Sequence, residues 1–120
     1  MTENSPHRGE IWLVNFDPTI GAEIQKTRPG VVISSDSLGK LPLRIIAPVT
    51  GWRKEFEHNV WHVKLCSSRT NGLQKDSAVD LLQVRSMDAR RLMHRLGRVT
   101  VDEMKEMLFA LMNVVEFVDD

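Results

Sequence analysis

An arginine that directly precedes a proline stands in a loop-like segment between two apolar runs. The segment covers residues 20–30 and reads IGAEIQKTRPG. Because Pro29 disfavours the helical conformation of the residue before it, we expect an extended backbone at Arg28 and a side chain that projects from it. A guanidinium keeps its charge at any working pH and holds a phosphate through paired hydrogen bonds. The segment therefore predicts a binding point for a phosphate or for a phosphorane.

Two further side chains would complete this chemistry. Glu23 lies in the same segment and carries the type of group that removes a proton from a ribose 2′-hydroxyl. Thr50 stands where a predicted strand ends and offers a hydroxyl to a phosphate oxygen. The alternative is structural: Glu23 and Arg28 form a salt bridge, and Thr50 caps a turn. The spacing of these residues leaves both interpretations open.

An aromatic and basic segment follows Thr50 directly. It contains Trp52, Arg53, Lys54 and Phe56. Stacking of exposed bases on aromatic rings contributes about 1 to 3 kcal/mol per base, so the segment is a candidate for RNA binding and for base preference. Packing of the same side chains within the domain is the competing interpretation.

Length and composition indicate one globular domain. The chain has 120 residues, of which 42% are hydrophobic and 27% are charged. These values are typical of a globular protein with one core of ordinary size. We expect a flexible tail over residues 1–8 and a single domain over residues 9–120. The tail lacks the apolar segment of an export signal, and the apolar runs elsewhere are short, so we expect a cytoplasmic protein that does not contact a membrane.

The cysteine and histidine content argues against disulfides and metal sites. Cys66 is the only cysteine, so the chain forms no internal disulfide, and its place at the end of an apolar strand pattern predicts a buried thiol. His58 and His62 are four residues apart, but residues 60–65 alternate as a strand does. On a strand the two rings would begin about 13 Å apart, too far for one metal ion. We predict no metal and no cofactor.

Charge is balanced overall but segregated along the chain. Sixteen basic and sixteen acidic residues give a formal net charge of zero, which argues against nonspecific coating of nucleic acid. Residues 85–98 contain five arginines and one aspartate, whereas residues 100–120 contain one lysine and six acidic residues. This segregation of charge is suited to a surface that binds a polyanion. An equally good interpretation is that a solvated strand face lies beside an acidic helix and binds nothing.

The elements that would position these residues are short strands followed by one helix. Alternation and apolar runs predict six strands, at residues 10–15, 30–34, 43–50, 60–65, 77–85 and 96–99. The second strand is apolar throughout and is expected to be covered on both faces. Pro48 indicates an edge or a bulge near the end of the third strand. Short strands with turns between them predict a strongly curved sheet or a small barrel.

The last predicted element is an amphipathic helix. Thr100 and Glu103 have the spacing of a capping box, in which each side chain accepts a hydrogen bond from the backbone amide of the other residue. The apolar stripe that should lie across the sheet consists of Met104, Leu108, Leu111, Met112 and Val115. The sequence therefore predicts a mostly β fold of the α+β class, with a C-terminal helix that shares the core.

Several short motifs resemble, in order, the successive signatures of the MazF/PemK toxin family. They are RGEIW at 8–12, DPTIGAE at 17–23, KTRPGVV at 26–32, APVT at 47–50, GLQKDSAV at 72–79, QVRSMD at 83–88 and RRL at 90–92. One such motif would be weak, but together they extend in register over about residues 8–116. The chain is identified as a member of this family by that resemblance.

The resemblance implies a small SH3-like barrel of the CcdB/PemK type and a homodimer. It implies a sequence-specific endoribonuclease that a cognate antitoxin holds inactive. The implied chemistry uses no metal: the 2′-hydroxyl attacks the adjacent phosphorus and leaves a 2′,3′-cyclic phosphate and a 5′-hydroxyl. DNA would therefore not be cleaved, and single-stranded RNA would be preferred because its backbone can bend into line.

The resemblance also assigns roles to residues of the loop and the third strand. Arg28 corresponds to the catalytic arginine of the family and Thr50 to its catalytic threonine. Glu23 matches a position that is often glutamate and is the best candidate for the general base. Lys26 and Thr27 adjoin Arg28 in the matched motif and are expected to contact RNA.

Later motifs supply further candidates and one departure. Gln83 and Arg85 are RNA contacts by resemblance, although both could equally be structural. Many members have an acidic residue directly before this glutamine, where the present chain has Leu82. Asp80, two residues earlier, would share a strand face with Leu82. The aromatic segment after Thr50 would also overlap the surface on which an acidic, apolar antitoxin tail competes with RNA.

Two alternatives come from other functional classes. A non-catalytic toxin similar to CcdB would act by binding DNA gyrase, but it would have an apolar, tryptophan-bearing carboxyl end, whereas residues 115–120 read VEFVDD. A barrel that binds RNA without cutting it is the other alternative. The pairing of Arg28 with Thr50 argues against both.

Overall fold

Seven strands and one α-helix make up the part of the chain that the computed structural model describes, residues 5–118. The elements are β1 (Glu10–Asn15), β2 (Thr27–Val32), β3 (Leu43–Gly51), β4 (His62–Leu65), β5 (Ser77–Asp80), β6 (Arg85–Asp88), β7 (Leu92–Arg98) and α1 (Val101–Val114). Short 3-10 turns cover Asp36–Leu38, Lys54–His58 and Ala89–Arg91. The prediction of a mostly β fold with a C-terminal helix is confirmed.

The strands form one curved antiparallel sheet with β3 at its centre. The strand order is β4-β5-β3-β2-β1-β7, and β6 pairs with the beginning of β3. Residues 43–46 of β3 pair with β6, whereas residues 49–51 pair with β5. Residues 46–48 pair with β2. Strand β3 therefore changes its pairing partner from β6 to β5 along its length. The sheet is curved and open rather than a closed barrel.

Pro48 lies in this central strand, not at an edge. It is paired with Gly30 of β2, and it stands between the last residue that pairs with β6 and the first that pairs with β5. The ladder is already interrupted there, so a residue without an amide hydrogen is tolerated in the middle of the sheet. Of the two predicted alternatives, an edge or a bulge, the edge position is wrong, because Pro48 stands inside the sheet where β3 changes partner.

Each face of the sheet carries its own cluster of buried hydrophobic residues. Ile11, Val31 and Val79 lie in the cluster that includes residues of α1, whereas Val14 and Val32 lie in a second cluster with Phe16 and Met87. Adjacent residues Val31 and Val32 thus enter different clusters and are both fully buried. The prediction that the second strand is covered on both faces is confirmed.

The region predicted as one strand over residues 77–85 is two strands joined by a turn. The Asp80 carboxylate accepts hydrogen bonds from the amides of Leu82 and Gln83, at 2.9 and 3.2 Å. A short acidic side chain that bonds the backbone two and three residues ahead favours a turn over a strand. Asp80 and Leu82 therefore do not share a strand face, contrary to the prediction.

The capping box of α1 is confirmed, but the buried face differs from the predicted stripe. Glu103 N donates to Thr100 Oγ1 at 3.0 Å, and Thr100 N donates to Glu103 Oε1 at 2.8 Å. The residues of the helix that pack on the core are Met104, Met107, Leu108, Ala110 and Leu111. Met112 and Val115 are 36% and 64% exposed. Val115 follows the last residue of the helix, so the helical spacing of apolar residues no longer places it on the face that packs on the core.

The predictions of a buried Cys66 and of a flexible tail over residues 1–8 are compared next with the structure. Cys66 is exposed rather than buried, because β4 ends at Leu65 and the chain leaves the sheet there. Within the predicted flexible tail, Pro6 is buried and its carbonyl accepts a hydrogen bond from Arg44 Nε at 3.1 Å. Pro6 therefore packs on the domain, whereas Arg8 is exposed, and residues 1–4 lie outside the described part. No helix in residues 5–118 has the length and apolar character to cross a membrane.

Candidate active site

Arg28 and Thr50 line the same cavity, whose volume is about 390 Å³. Arg28 is the second residue of β2, and Thr50 is the second-last residue of β3. These strands are antiparallel, and Gly30 is paired with Pro48. The beginning of β2 therefore lies beside the end of β3, which brings together two side chains that are far apart in sequence.

Arg28 is extended, as the following proline predicts, because β2 begins at Thr27 rather than at Gly30. Its Nε donates a hydrogen bond to the carbonyl oxygen of Gln25 at 3.0 Å. Within residues 5–118, the two terminal NH₂ groups of the guanidinium have no hydrogen-bond partner. The guanidinium is thus held at its Nε edge, and its remaining donors are available to a bound anion.

Thr50 is fixed by its strand and not by its side chain. It is paired with Ala78 of β5 and is partly buried. Its hydroxyl makes no hydrogen bond to another described residue, so the predicted alternative of a turn cap does not apply within this part of the chain. The hydroxyl is therefore available to a ligand in the cavity.

Two residues that the sequence analysis did not single out also line this cavity, Lys75 and His94. Lys75 belongs to the segment between β4 and β5, and its Nζ lies 3.1 Å from the place where a Cβ on Gly51 would be. His94 belongs to β7, which extends over more residues than predicted. Lys75 was part of a matched motif, but no sequence signal indicated that either residue lines a cavity with Arg28.

The segment that carries Lys75 is held against β7 by close backbone contacts. Arg98 N donates to Thr70 O at 3.0 Å. A Cβ on Gly97 would lie 2.4 Å from Thr70 O, and a Cβ on Gly72 would lie 2.1 Å from Leu96 O. Only glycines allow such an approach. The two backbones therefore touch directly, and this contact places Lys75 beside β3.

The charged side chains that line the cavity are all basic or potentially basic. They are Arg28, Lys75 and His94, and no carboxylate is among the lining residues within the described range. A concave surface with charge of one sign concentrates its field and attracts ligands of the opposite sign. The cavity is therefore suited to a polyanion such as a nucleic-acid backbone.

Glu23 faces a different cavity, with a volume of about 500 Å³. Gln83 and Arg85 line the same cavity. The Glu23 carboxylate accepts a hydrogen bond from the amide of Ile20 at 2.5 Å. In the part of the chain that the structure describes, no ion pair joins Glu23 and Arg28, so the predicted salt-bridge alternative does not form there. Glu23 thus lines a different cavity from Arg28 and Thr50.

Gln83 and Arg85 use their polar groups to hold the loop before β2. Gln83 Oε1 accepts from the amide of Ile24 at 2.6 Å, and Gln83 Nε2 donates to Ala22 O at 3.4 Å. Arg85 Nη1 donates to Phe16 O at 3.2 Å. These contacts favour the structural interpretation of both residues, since they fix the loop that leads to Arg28.

Replacing Gln83 with alanine is expected to loosen this loop without unfolding the domain. Because a single hydrogen bond contributes about 1 kcal/mol, the amide hydrogen of Ile24 should exchange with solvent about five- to tenfold faster. Hydrogen exchange followed by NMR measures this rate. Gln25→Ala, at an exposed position of the same loop, serves as the control. Equal exchange rates in the two variants would contradict the assigned role.

Lys26 and Thr27 lie next to Arg28 on the exposed side of the loop. Lys26 has a φ of 71°, a left-handed conformation that is uncommon for a residue other than glycine. Its amide donates to Asp17 Oδ1 at 2.9 Å, and its carbonyl accepts from Phe16 N at 2.9 Å. Backbone contacts therefore hold Lys26, while its side chain remains a candidate for contact with RNA.

The aromatic residues after Thr50 pack partly on each other. Trp52 and Phe56 meet edge to face at 6.0 Å, and Phe56 stacks on His62 at 4.0 Å. Lys64 Nζ lies 5.1 Å from the Trp52 ring centroid. Both aromatic rings are half-buried, which favours packing within the domain for much of their surface. Arg53 and Lys54 remain exposed beside them.

His62 forms a buried pair with Asp80 beneath this aromatic group. His62 Nε2 lies 3.7 Å from Asp80 Oδ2, and the two side chains are 6% and 8% exposed. Burial lowers the pKa of His62 below its usual value, and the charge of Asp80 opposes this shift only in part. The neutral imidazole is therefore the form that the folded protein favours.

This pKa shift predicts a loss of stability in mild acid. Because the pKa of His62 is lower in the folded chain, the unfolded chain binds more protons, and the free energy of unfolding rises with pH in that window. The contribution is complete above the ordinary pKa of about 6.5 and is lost as the pH falls below it. Urea unfolding of the wild type between pH 7.5 and 5.5 measures the slope. His62→Gln should reduce it, whereas a change at the exposed His58, to Gln, should not.

Comparison with known proteins places the chain in a family. Residues 7–115 match the family described as the PemK-like, MazF-like toxin of type II toxin–antitoxin systems. The chain is 34% identical over 111 residues to the endoribonuclease MazF9 of Mycobacterium tuberculosis, covering 87% of this chain and 91% of the relative. It is 35% identical over 100 residues to the endoribonuclease MazF of Staphylococcus saprophyticus, covering 82% of each.

A solved structure agrees with this placement. The crystal structure of MazF from Deinococcus radiodurans superposes with a TM-score of 0.81 at 26% identity, covering 96% of this chain and 100% of that one. The match extends over the strands that form the cavity and over the terminal helix, because it covers nearly the whole chain. The protein therefore belongs to the PemK-like, MazF-like toxin family, as its sequence motifs implied.

Proposed function

We propose that this protein is a metal-independent endoribonuclease toxin that cleaves single-stranded RNA at specific sequences. The observation that carries the proposal is the one cavity lined by both Arg28 and Thr50. The activity named for the curated relatives supports the same reaction class over a CcdB-like toxin without catalytic activity. The substrate would be messenger RNA in the cytoplasm.

In the proposed reaction the 2′-hydroxyl of one nucleotide attacks the adjacent phosphorus. The O2′–P bond forms and the P–O5′ bond breaks, which leaves a 2′,3′-cyclic phosphate and a 5′-hydroxyl. The terminal NH₂ groups of Arg28 bind the non-bridging oxygens as negative charge develops on them, and the Thr50 hydroxyl donates to one of these oxygens. Lys75 adds a second positive charge at the same place. The Arg28 guanidinium is held by its Nε hydrogen bond to Gln25 O before the substrate binds, so this group needs little reorganisation during the reaction.

The chemistry explains the proposed choice of substrate. DNA lacks the 2′-hydroxyl and provides no nucleophile. A paired RNA strand is held in a helical geometry in which the 2′-oxygen does not line up with the leaving oxygen, whereas a single strand can bend. The exposed Arg53 and Lys54, together with Lys26 and Thr27, would contact the backbone of such a strand.

Regulation would follow from competition for the same surface. An antitoxin tail with acidic and apolar residues would pair with Arg28, Arg53 and Lys54 and would exclude RNA from the cavity. The family's place in type II toxin–antitoxin systems supports this partner. We also expect a homodimer, and sedimentation velocity of the purified protein measures this directly.

The test is incubation of the purified protein with a long mixed-sequence RNA in excess EDTA. The proposal predicts discrete cuts, cyclic phosphate at the 3′ ends and hydroxyl at the 5′ ends. It predicts that both Arg28→Ala and Thr50→Ala lose these cuts while keeping the circular dichroism spectrum of the wild type. Uncut RNA with the wild-type protein would overturn the proposal. Full activity of Thr50→Ala would overturn the role of that residue.

A further inference from the structure

A buried carboxylate that the proposed reaction does not use lies at the end of β5. It belongs to Asp80. A buried carboxylate is costly unless hydrogen bonds or neighbouring charges compensate it, so the contacts of its two oxygens indicate its role. Oδ1 accepts from the amides of Leu82 and Gln83 at 2.9 and 3.2 Å, whereas Oδ2 lies 3.7 Å from His62 Nε2. Asp80 therefore fixes the backbone that carries the Gln83 side chain.

Strand β4 orients the same carboxylate from its other oxygen. His62 and Asp80 are directly paired across β4 and β5, which places their side chains on one face of the sheet. Asn59 Nδ2 donates to His62 Nδ1 at 3.2 Å, so the neutral imidazole carries its proton on Nε2, toward Asp80. Both oxygens of the carboxylate thus face donors, and its orientation is fixed.

The Gln83 side chain joins this turn to the loop before β2. Its Oε1 accepts from the Ile24 amide at 2.6 Å, and its Nε2 donates to Ala22 O at 3.4 Å. The two loop residues are 59 and 61 positions away from Gln83 in sequence. These bonds therefore couple two parts of the chain that local structure does not connect.

The loop in turn holds the guanidinium of Arg28. Gln25 O accepts from Arg28 Nε at 3.0 Å. Gln25 lies between Ile24, which the Gln83 side chain anchors, and Lys26, whose amide and carbonyl are both hydrogen-bonded. Losing the anchor at Ile24 would free one side of the Gln25 carbonyl, and the guanidinium bonded to it would move as well.

We propose that Asp80 is a positioning residue for Arg28 that acts through Gln83 and the loop before β2, a role that rests on the proposed RNA-cleaving function. Asp80 is buried and is not among the described residues that line the two cavities, so it acts without contact to the substrate. It holds the turn, the turn directs Gln83 to Ile24, and the loop keeps the guanidinium in place. Misplacement of a reacting group by about 1 Å can slow a reaction about 100-fold, so this contact chain controls the rate of cleavage.

The test is single-turnover cleavage of a short single-stranded RNA, with the RNA affinity measured separately by filter binding. Asp80→Ala should cleave at least about tenfold more slowly, because Arg28 is misplaced. Its affinity should change by less than about threefold, because the basic residues that attract the RNA backbone are kept. Asp80→Asn keeps an oxygen that accepts from the turn amides and should restore most of the rate. Asp80→Ser keeps a weaker acceptor, should lie between these two, and supplies the measurement if Asp80→Ala does not fold.

A double-mutant cycle with Gln83→Ala separates positioning from loss of stability. If Asp80 acts through Gln83, Asp80→Ala should slow cleavage by less than about twofold in the Gln83→Ala protein, although it still lowers stability. Met107→Ala is the control, because Met107 is fully buried in the cluster with Val79, on the sheet face opposite to Asp80. It destabilises the domain, but its folded molecules should cleave at the wild-type rate.

The free protein provides a measurement that does not depend on RNA. Exchange of the Arg28 Nε hydrogen with solvent, followed by NMR, should be about fivefold faster in Asp80→Ala and in Gln83→Ala, and unchanged in Met107→Ala. The inference is overturned if Asp80→Ala keeps the wild-type rate or the wild-type exchange, or if its effect multiplies in full with that of Gln83→Ala. A rate for Asp80→Asn as low as that of Asp80→Ala would overturn it too. If the wild type does not cleave RNA, the proposed function fails, whereas the exchange measurement still supports or overturns the positioning of Arg28.

Discussion

Replacing Arg28 with lysine is expected to lower the rate of RNA cleavage by about 100-fold or more, although the charge is kept. An arginine offers a planar set of donors that binds two phosphate oxygens at once, whereas an ammonium is a point charge. Lysine also cannot reproduce the Nε hydrogen bond to Gln25 O that orients the group. Single-turnover cleavage of a short RNA measures the rate of the chemical step, and equilibrium binding of the same RNA measures its affinity.

The expected result separates the shape of the guanidinium from its charge. Affinity should fall by less than about tenfold, because the positive charge still attracts the phosphate backbone. Arg69→Lys, at an exposed position in the segment between β4 and β5, is the control and should leave both values unchanged. If Arg28→Lys cleaves at the wild-type rate, charge alone suffices, and the paired hydrogen bonds assigned to Arg28 are wrong.

Replacing Gly72 with alanine is expected to destabilise the domain by about 3 kcal/mol or more. Gly72 has a φ of 67°, and a Cβ there would lie 2.1 Å from the carbonyl oxygen of Leu96. That atom belongs to the backbone of β7, which cannot rotate away as a side chain can. The segment from Gly72 to Lys75 would therefore be displaced, and folded molecules of the variant should also cleave RNA more slowly. Urea denaturation measures the free energy of unfolding.

Gly21 provides the matched control for this substitution. Its φ is 58°, close to that of Gly72, but no atom lies within 4 Å of the place where its Cβ would be. Gly21→Ala therefore introduces the backbone strain without the collision, and we expect a loss of about 1 kcal/mol. If both variants lose the same free energy, the direct contact between the segment and β7 contributes nothing, and its role in placing Lys75 would have to be abandoned.

The sequence determined those features that depend on neighbours along the chain. Pro29 restricts the residue before it, and Arg28 is extended as a result. Thr100 and Glu103 are three residues apart and form the capping box by themselves. The bounds of β1 were predicted correctly for a similar reason, because the apolar run over residues 11–14 is local. Family motifs then identified Arg28 and Thr50 as a pair, and the two residues do line one cavity.

The hydrophobic pattern of the sequence predicted the structure wrongly where a side chain forms hydrogen bonds with the backbone and where a helix ends. The apolar run over residues 77–85 was predicted as one strand, but the Asp80 carboxylate closes a turn with Leu82 and Gln83. Val115 continues the helical repeat in sequence, yet it follows the end of the helix and is exposed. In both cases a few hydrogen bonds decide the conformation, and the hydrophobic pattern does not contain them.

Only the tertiary structure decided which groups share the cavity. Glu23 is five residues from Arg28 in sequence but lines a different cavity, whereas Lys75 and His94 are far away in sequence and line the same one. The physical reason is that these side chains are brought together by contacts between distant parts of the chain. They are the pairing of β1 with β7 and the close approach of Gly72 to the backbone of β7. By itself the sequence specified the type of chemistry through Arg28 and Thr50. The folding of β7 and of the β4–β5 segment against them determined which other side chains take part.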